Sequence, residues 1–292
     1  MSDGTSEPSD AGADPRIERP QLRVWATVGE AYTVWFSNPG LWLRLSVVPV
    51  LVVIGMLALH TWSWVDAAQA MDQAPVLPAV TALLLVVFMY LAEIPLATAW
   101  HRLILQQNSG ESHRYVVGRR EFRYLLKALF ILIVVLLVSL LLGILVSGLM
   151  LPLIMGSVGG KAIPENLVLV SIVGSVLSIA IYAVLGYFLG CLFLMLPAAA
   201  IGRNFKSGEA STALKGNEWR LVGIYIVALV PIYLLAAAFD GLFSLSLDAP
   251  GLGAGLFTYF GPLIFAPLIV GVLSITYRDL VQKPEAVGDT SV

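Results

Sequence analysis

The sequence is poor in cysteine, histidine and charge, and each shortage excludes a class of protein. Cys191 is the only cysteine in 292 residues, so the chain can form neither an internal disulfide nor a zinc site built on cysteine ligands. The three histidines, His60, His101 and His113, show no metal-binding spacing such as HExxH, and we interpret each as an interfacial residue. Charged residues make up 12% of the chain and the net charge is −2, which argues against a nucleic-acid partner. No metal or cofactor is expected.

Apolar residues are abundant instead. They make up 58% of the chain, against about 45–50% in a soluble domain. A helix crosses the hydrocarbon core of a bilayer with about 20 residues, and six apolar runs reach that length. The runs are 41–61, 77–103, 124–152, 166–202, 219–239 and 253–277. We predict an all-α integral membrane protein whose six transmembrane helices form three hairpins. The fourth run is too long for one straight span, so it must tilt, break near Gly174 or project beyond the outer surface.

The cations predict how the chain is threaded. Sixteen of the seventeen Lys and Arg residues lie on one side of the threading that these runs imply, and Lys161 alone lies on the other. Cytoplasmic loops carry the excess of Lys and Arg, so both termini are predicted to be cytoplasmic. The polar, acidic and Pro-rich residues 1–21 and the short segment 281–292 are predicted to be disordered tails. They flank a transmembrane domain over residues 22–280.

Residues 22–37 form the best amphipathic segment, with an apolar aromatic face and a polar face at helical spacing. The first face carries Trp25, Val28, Tyr32 and Trp35, and the second carries Arg23, Thr27 and Glu30. Such a helix is typical of one that lies in the interface plane of a membrane, which is the interpretation we favour. Packing on the cytoplasmic ends of the bundle is the alternative, and the two are compatible.

A weak internal repeat joins the three hairpins. Each odd-numbered run begins with a turn and an aromatic residue close to an arginine, and each even-numbered run carries a proline and then ends at a cation. Asn38 and Asn217 are predicted helix N-caps, and Pro39 takes a first helical position. Gly216 can end the preceding short helix in the left-handed conformation. A true repeat and a chance likeness of hairpin ends both explain the pattern.

Small residues mark predicted helix contacts. Ser139, Gly143 and Ser147 recur every four residues in the third run, and Gly186 and Gly190 form a GxxxG pattern in the fourth. We expect both sets to serve packing within one chain.

The most distinctive stretch is LPAAAIGRNFKSGEASTALKGNEWRLVGIY at 196–225. Together with PLATAWHRLIL and GRREFRYLL, it resembles the bacterial six-span membrane domain attached to some glycerophosphoryl diester phosphodiesterases, and related uncharacterised inner-membrane proteins. The resemblance covers roughly residues 22–280. It implies an all-helical fold in a bacterial cytoplasmic membrane. In that family the phosphodiesterase activity belongs to a separate soluble domain, for which this chain has no room, so no hydrolase activity is expected.

Glu93 is the one acidic residue well inside a predicted span. Intramembrane carboxylates are costly and usually find a partner in the protein interior. We therefore expect a neutral or ion-paired structural residue, with Arg44 or Lys127 as its partner. A proton or cation relay and a contact to a lipid headgroup are the functional alternatives.

A second candidate set lies on the predicted cytoplasmic side, where basic and aromatic residues could contact lipid headgroups. These residues are Arg114, Arg119, Arg120, Arg123, Trp219 and Arg220. For the arginines, setting the topology is a sufficient explanation.

No pattern predicts catalysis. An intramembrane enzyme needs two or more catalytic groups at one depth, and among the residues of the predicted spans only Glu93 qualifies. The sequence favours a non-enzymatic scaffold or accessory factor in envelope or lipid homeostasis, with membrane lipids and other membrane proteins as partners. The alternative is a transporter of a small solute or lipid with a cavity near Glu93.

Overall fold

The computed structural model describes residues 20–69, 76–106, 118–158, 164–247 and 252–282. Over these ranges the chain forms nine α-helices, a closing π-helical turn and no strand, which confirms the predicted all-α class. The helices are α1 Val24–Ser37, α2 Pro39–Gln69, α3 Val76–Leu105, α4 Arg119–Val158, α5 Pro164–Phe193, α6 Met195–Ala200, α7 Ser207–Leu214, α8 Glu218–Leu247 and α9 Leu252–Tyr277, followed by the π-helical turn Arg278–Gln282.

Six stretches of these helices are long and apolar enough to cross a membrane, so the protein is a multi-pass membrane protein. Five of them lie in α2, α3, α4, α8 and α9, and the remaining one runs from α5 into α6. Neighbouring spans pack as the three predicted hairpins, α2 with α3, α4 with α5, and α8 with α9. In the fourth run the helix continues through Gly174 and is interrupted at Leu194 instead.

The core lies at one end of the bundle. α9 is the most buried span and packs against α1, α2, α3, α6 and α8. The short helix α6 fills the space between α3, α4 and α9, and its residues Leu196–Ala200 are buried. We call this end, where α1, α7 and the π-helical turn lie, the α1/α7 end. Away from it, α4 exposes a stripe that includes Leu136, Leu140 and Ile144, as a helix facing lipid does.

Side chains from neighbouring helices bind backbone carbonyls close to two of the prolines inside the spans. A proline removes the hydrogen bond to the carbonyl four residues earlier, so Pro267 frees the carbonyl of Leu263. Trp42 Nε1 donates to this oxygen at 3.2 Å. The Tyr32 hydroxyl donates to the carbonyl of Ala228 at 3.0 Å, three residues before Pro231. Burial raises the pKa of Tyr32 above its usual value of 10.0, so this hydroxyl keeps its proton.

Helix α1 lies lengthwise between α8 and α9. At its start the Leu22 amide donates to Asn217 Oδ1 at 2.9 Å, just before α8, and Tyr32 reaches α8 again ten residues later. On its other side Arg278 forms two hydrogen bonds with the Glu30 carboxylate, at 2.6 and 2.8 Å. The structure therefore agrees with the alternative in which α1 packs on the bundle. The depth of α1 in a membrane stays a prediction.

The residues of α1 that are buried in the protein come from both predicted faces. Thr27, placed on the polar face, is 2% exposed, whereas Trp25, placed on the apolar face, is 76% exposed. Thr27, Val28 and Ala31 are the buried residues of α1, which packs against α8 and α9. A threonine fits here because its small side chain allows two helices to approach closely. Whether Trp25 contacts lipid, as the predicted apolar face requires, stays a prediction.

This arrangement predicts different environments for two tryptophans. Trp25 is exposed, whereas Trp35 packs edge-on against Phe265 with ring centroids 5.7 Å apart. In variants that keep only one tryptophan, in lipid vesicles, lipids brominated near the glycerol should quench Trp25 strongly and Trp35 weakly. Equal quenching of the two would contradict the packing of α1 described here.

Two predicted N-caps have other roles. The Asn38 side chain donates to the Val34 carbonyl at 2.8 Å, and so closes α1. The Asn217 side chain accepts from Leu22 and donates to the Pro20 carbonyl at 3.0 Å. The Asn38 side chain is therefore occupied by the helix before it, and the Asn217 side chain by the segment that precedes α1. The predictions for Pro39 and Gly216 are confirmed. Helix α2 begins at Pro39, and Gly216 is in the left-handed conformation with a φ of +86°.

The residues that the structure describes extend past both predicted boundaries of the transmembrane domain, residues 22 and 280. Pro20 and Gln21, assigned to the N-terminal tail, accept hydrogen bonds from Asn217 and Arg220. Val281, assigned to the C-terminal tail, is buried in the π-helical turn. The remaining residues of both predicted tails lie outside the described residues.

The two sets of small residues behave differently. A Cβ on Gly190 would lie 3.0 Å from Leu221 Cδ2, and one on Gly186 would lie 3.2 Å from Val222 Cγ2. Both glycines therefore bring α5 close to α8, which confirms packing within one chain. Among the described residues nothing lies within 4 Å of a Cβ placed on Gly143, so no contact of the predicted kind is found there. The side chain of Ser147 lies outside the described residues.

Candidate functional site

A chain of buried polar groups joins three helices at the α1/α7 end. His101 of α3 is fully buried; its Nδ1 lies 2.7 Å from Ser274 Oγ of α9, and its Nε2 lies 3.3 Å from the Tyr124 hydroxyl of α4. The interpretation of His101 as an interfacial residue is therefore wrong. It failed because closeness to the end of a span does not determine which way a side chain points.

A neutral imidazole satisfies these hydrogen bonds in either tautomer. With the proton on Nδ1, His101 donates to Ser274 Oγ, the Ser274 hydroxyl donates to the Val270 carbonyl at 2.8 Å, and Nε2 accepts from the Tyr124 hydroxyl. With the proton on Nε2, Ser274 donates to Nδ1 and His101 donates to the Tyr124 oxygen. Neither arrangement of the network needs an ionised group.

A buried ion pair lies one residue further along α3. Arg102 Nη2 donates to Glu121 Oε1 of α4 at 2.7 Å, and the two side chains are 8% and 5% exposed. The same arginine donates to the Thr98 carbonyl at 3.2 Å and to the Thr98 hydroxyl at 3.3 Å. These bonds fix the guanidinium, so the pair connects α3 to α4 in one geometry.

Neither predicted partner of Glu93 forms an ion pair with it among the described residues. Lys127 Nζ donates to the Phe205 carbonyl at 2.9 Å, and Arg44 is exposed. Glu93 Oε1 is buried and has no hydrogen-bond partner in the described part of the chain. Glu93 lies close enough to Tyr124 to interact with it electrostatically, so it adjoins the hydrogen-bonded network of His101.

This position predicts that Glu93→Gln is well tolerated. Glutamine keeps the size of the side chain and leaves no cation unpaired, because no ion pair to Glu93 is found among the described residues. The melting temperature in detergent should stay close to that of the wild type. A large loss of thermal stability in this variant would reveal a charged partner of Glu93.

The described candidates for headgroup contacts all lie at the α1/α7 end. Arg119, Arg120 and Arg123 are exposed in the first turns of α4, and Arg114 lies outside the described residues. Trp219 is 62% exposed and packs at a tilt against Tyr187 of α5 with ring centroids 4.9 Å apart. An exposed indole on the rim of a bundle is typical of the membrane interface.

Sequence reasoning missed the buried ion pair and the histidine chain. The one available signal was a cluster of polar residues, Thr98, His101 and Arg102, in an otherwise apolar run. Over the described ranges no group of three His, Cys, Asp or Glu residues could hold a metal ion. Chemically, the arrangement acts as a set of connectors between helices, since its donors and acceptors are directed at one another.

Comparison of the chain with known proteins found no matching protein-family model, no matching curated protein and no matching solved structure.

Proposed function

We propose that this protein is a non-enzymatic scaffold or accessory factor of a bacterial inner membrane, that it acts in envelope or lipid homeostasis, and that both termini are cytoplasmic. The distribution of cations in the sequence supports this orientation. The resemblance to the six-span membrane domain supports the bacterial location.

One observation carries the non-enzymatic part of the proposal. At the α1/α7 end the interior is filled by side chains, with Trp100, Leu194 and Leu268 fully buried around α6. The polar groups His101, Arg102 and their partners bind each other in the middle of this core. A transporter or an enzyme presents such groups to a substrate in a cavity, whereas a scaffold uses them to hold its helices in place.

Cysteine accessibility tests whether this core is closed to water. In a Cys191→Ser background, Ala99→Cys and Ala199→Cys place thiols at buried positions, and Ser211→Cys places one on the exposed side of α7. A charged methanethiosulfonate reagent should label Ser211→Cys rapidly and the two buried cysteines hardly at all. In sealed right-side-out vesicles, Ser211→Cys should also be protected, because α7 is expected to face the cytoplasm.

Comparable labelling of Ala99→Cys and Ser211→Cys would contradict the proposal, since it requires a water-filled interior. Labelling of Ser211→Cys from outside the sealed vesicles would contradict only the orientation. Cell-surface biotinylation of a periplasmic control protein verifies that the vesicles are right-side-out and sealed.

Transport remains the second candidate, and Glu93 favours it. A carboxyl oxygen buried without a hydrogen-bond partner is costly, and such groups mark ion or substrate paths in membrane proteins. In a deletion strain, Glu93→Gln should restore the wild-type envelope phenotype if the protein is a scaffold. A stable, well-expressed variant that fails to restore it would favour transport.

A further inference from the structure

A basic pocket lies at the α1/α7 end, between the segment before α1 and the turn from α7 to α8. Its volume is about 830 Å³, and the three charged residues that line it, Arg23, Lys215 and Arg220, are all cations. The rest of its lining comes from neighbouring residues of the same two segments, including Gly216 and Asn217. This volume suits a molecule of organic size, beyond a single ion.

Hydrogen bonds within the protein hold the two segments of the pocket together. Arg220 donates to the Leu22 carbonyl at 3.3 Å and to Gln21 Oε1 at 2.8 Å. These two bonds fix the guanidinium and use two of its five N–H donors, so donors remain for a ligand. Asn217 joins the same two segments through its bonds to Pro20 and Leu22.

The surroundings of the pocket place it at the rim of the bundle. Trp219 precedes Arg220 and is exposed beside Tyr187, and Trp25 is exposed two residues after Arg23. Tryptophans in such positions lie at the headgroup level of a bilayer. The described acid of this turn, Glu218, accepts a hydrogen bond from the Gly216 amide at 2.8 Å and so belongs to the turn itself.

We propose that this pocket binds a phosphate group carried by a small organic moiety, as in the headgroup of an anionic phospholipid or a free phosphate ester. Arg220 binds the phosphate oxygens from the fixed side, and Arg23 and Lys215 close over the ligand from the exposed sides. The inference deepens the proposed lipid-related role by giving it a ligand class. It does not depend on whether the core is closed to water.

Binding can be measured on the full chain in neutral detergent, by native mass spectrometry and by thermal melting. The probes are phosphatidylglycerol, phosphatidylcholine, glycerol 3-phosphate and inorganic phosphate. The pocket variant is Arg23→Gln/Lys215→Gln, which removes two exposed cations and leaves the structural bonds of Arg220 in place. The matched control is Arg44→Gln/Lys206→Gln, which removes two exposed cations that lie outside the pocket and outside the candidate headgroup contacts.

Phosphatidylglycerol should bind and raise the melting temperature, with phosphatidylcholine the weaker ligand. The pocket variant should bind it about 30-fold more weakly, because each cation near a membrane surface contributes about 1 kcal/mol. The control variant should bind as the wild type does. If glycerol 3-phosphate or inorganic phosphate binds with the same dependence on the pocket variant, the ligand is a free phosphate compound and the proposed chemistry holds.

Equal weakening in the pocket and control variants would overturn the proposal, since it would reveal a diffuse charge effect. Undiminished binding in the pocket variant would overturn it as well. Lys215→Gln alone serves as the second variant if the double change lowers expression, and we expect it to weaken binding about fivefold.

Discussion

Removing the Glu121 carboxylate should destabilise the protein by about 3–5 kcal/mol, because Arg102 is then left buried without its counter-charge. The carboxylate lies between α3 and α4, which make few other polar contacts in the described part of the chain. Glu121→Leu should therefore lower the melting temperature in detergent markedly. Glu209→Leu, which removes an exposed carboxylate of α7, should change it little.

The double variant Arg102→Met/Glu121→Leu separates charge from packing. Replacing both members of a buried ion pair by apolar residues of similar volume is often neutral or stabilising, so the double variant should recover most of the loss. A loss in Glu121→Leu no greater than in Glu209→Leu would show that Arg102 is solvated despite its position. Failure of the double variant to recover would point to the hydrogen bonds of Thr98 as the main contribution.

A bulky side chain at Gly190 should separate α5 from α8. Its Cβ position is 3.0 Å from Leu221 Cδ2, so Gly190→Leu requires a backbone shift and should cost about 1–3 kcal/mol. Gly143→Leu introduces the same side chain at a position with nothing within 4 Å, and should leave stability unchanged or slightly higher. Thermal melting of the two variants side by side provides the comparison.

The contact itself can be tested by compensation. Leu221→Ala shortens the side chain that Gly190→Leu meets, so the pair should be more stable than Gly190→Leu alone. Equal stability of Gly190→Leu and Gly143→Leu would mean that α5 and α8 are not in close contact.

Hydrophobic length and the distribution of small and polar residues were enough to predict the spans and hairpins. Span length is imposed by the bilayer and is therefore visible in one sequence. The GxxxG pattern at Gly186 also identified a real contact, whereas the equally regular pattern at Gly143 did not. Spacing on one helix does not reveal which side meets a neighbour, since that depends on residues far away in the sequence.

The candidate site was harder to predict for the same reason. Arg102 was counted only among the cations that predict the topology, and its partner Glu121 lies 19 residues away. The partners of His101 are 23 and 173 residues away on α4 and α9. Glu93 was recognised as unusual because a carboxylate in an apolar run is conspicuous on its own. Its surroundings were not predictable, because pairing with a cation is only one way to hold a buried carboxyl group.

The position of α1 between α8 and α9 has a consequence for biosynthesis. Its hydrogen bonds to Asn217, Ala228 and Arg278 join residues separated by 195, 196 and 248 positions in the chain. Among the described helices α1 is therefore made first, and it packs on the hairpin that is made last. Until then its buried face has no partner, and the first two hairpins enter the membrane without it. We therefore expect the packing of α1 to be the last step of folding. In a chain truncated before α8 the buried face of α1 stays exposed, and we expect quality-control proteases to degrade such a chain.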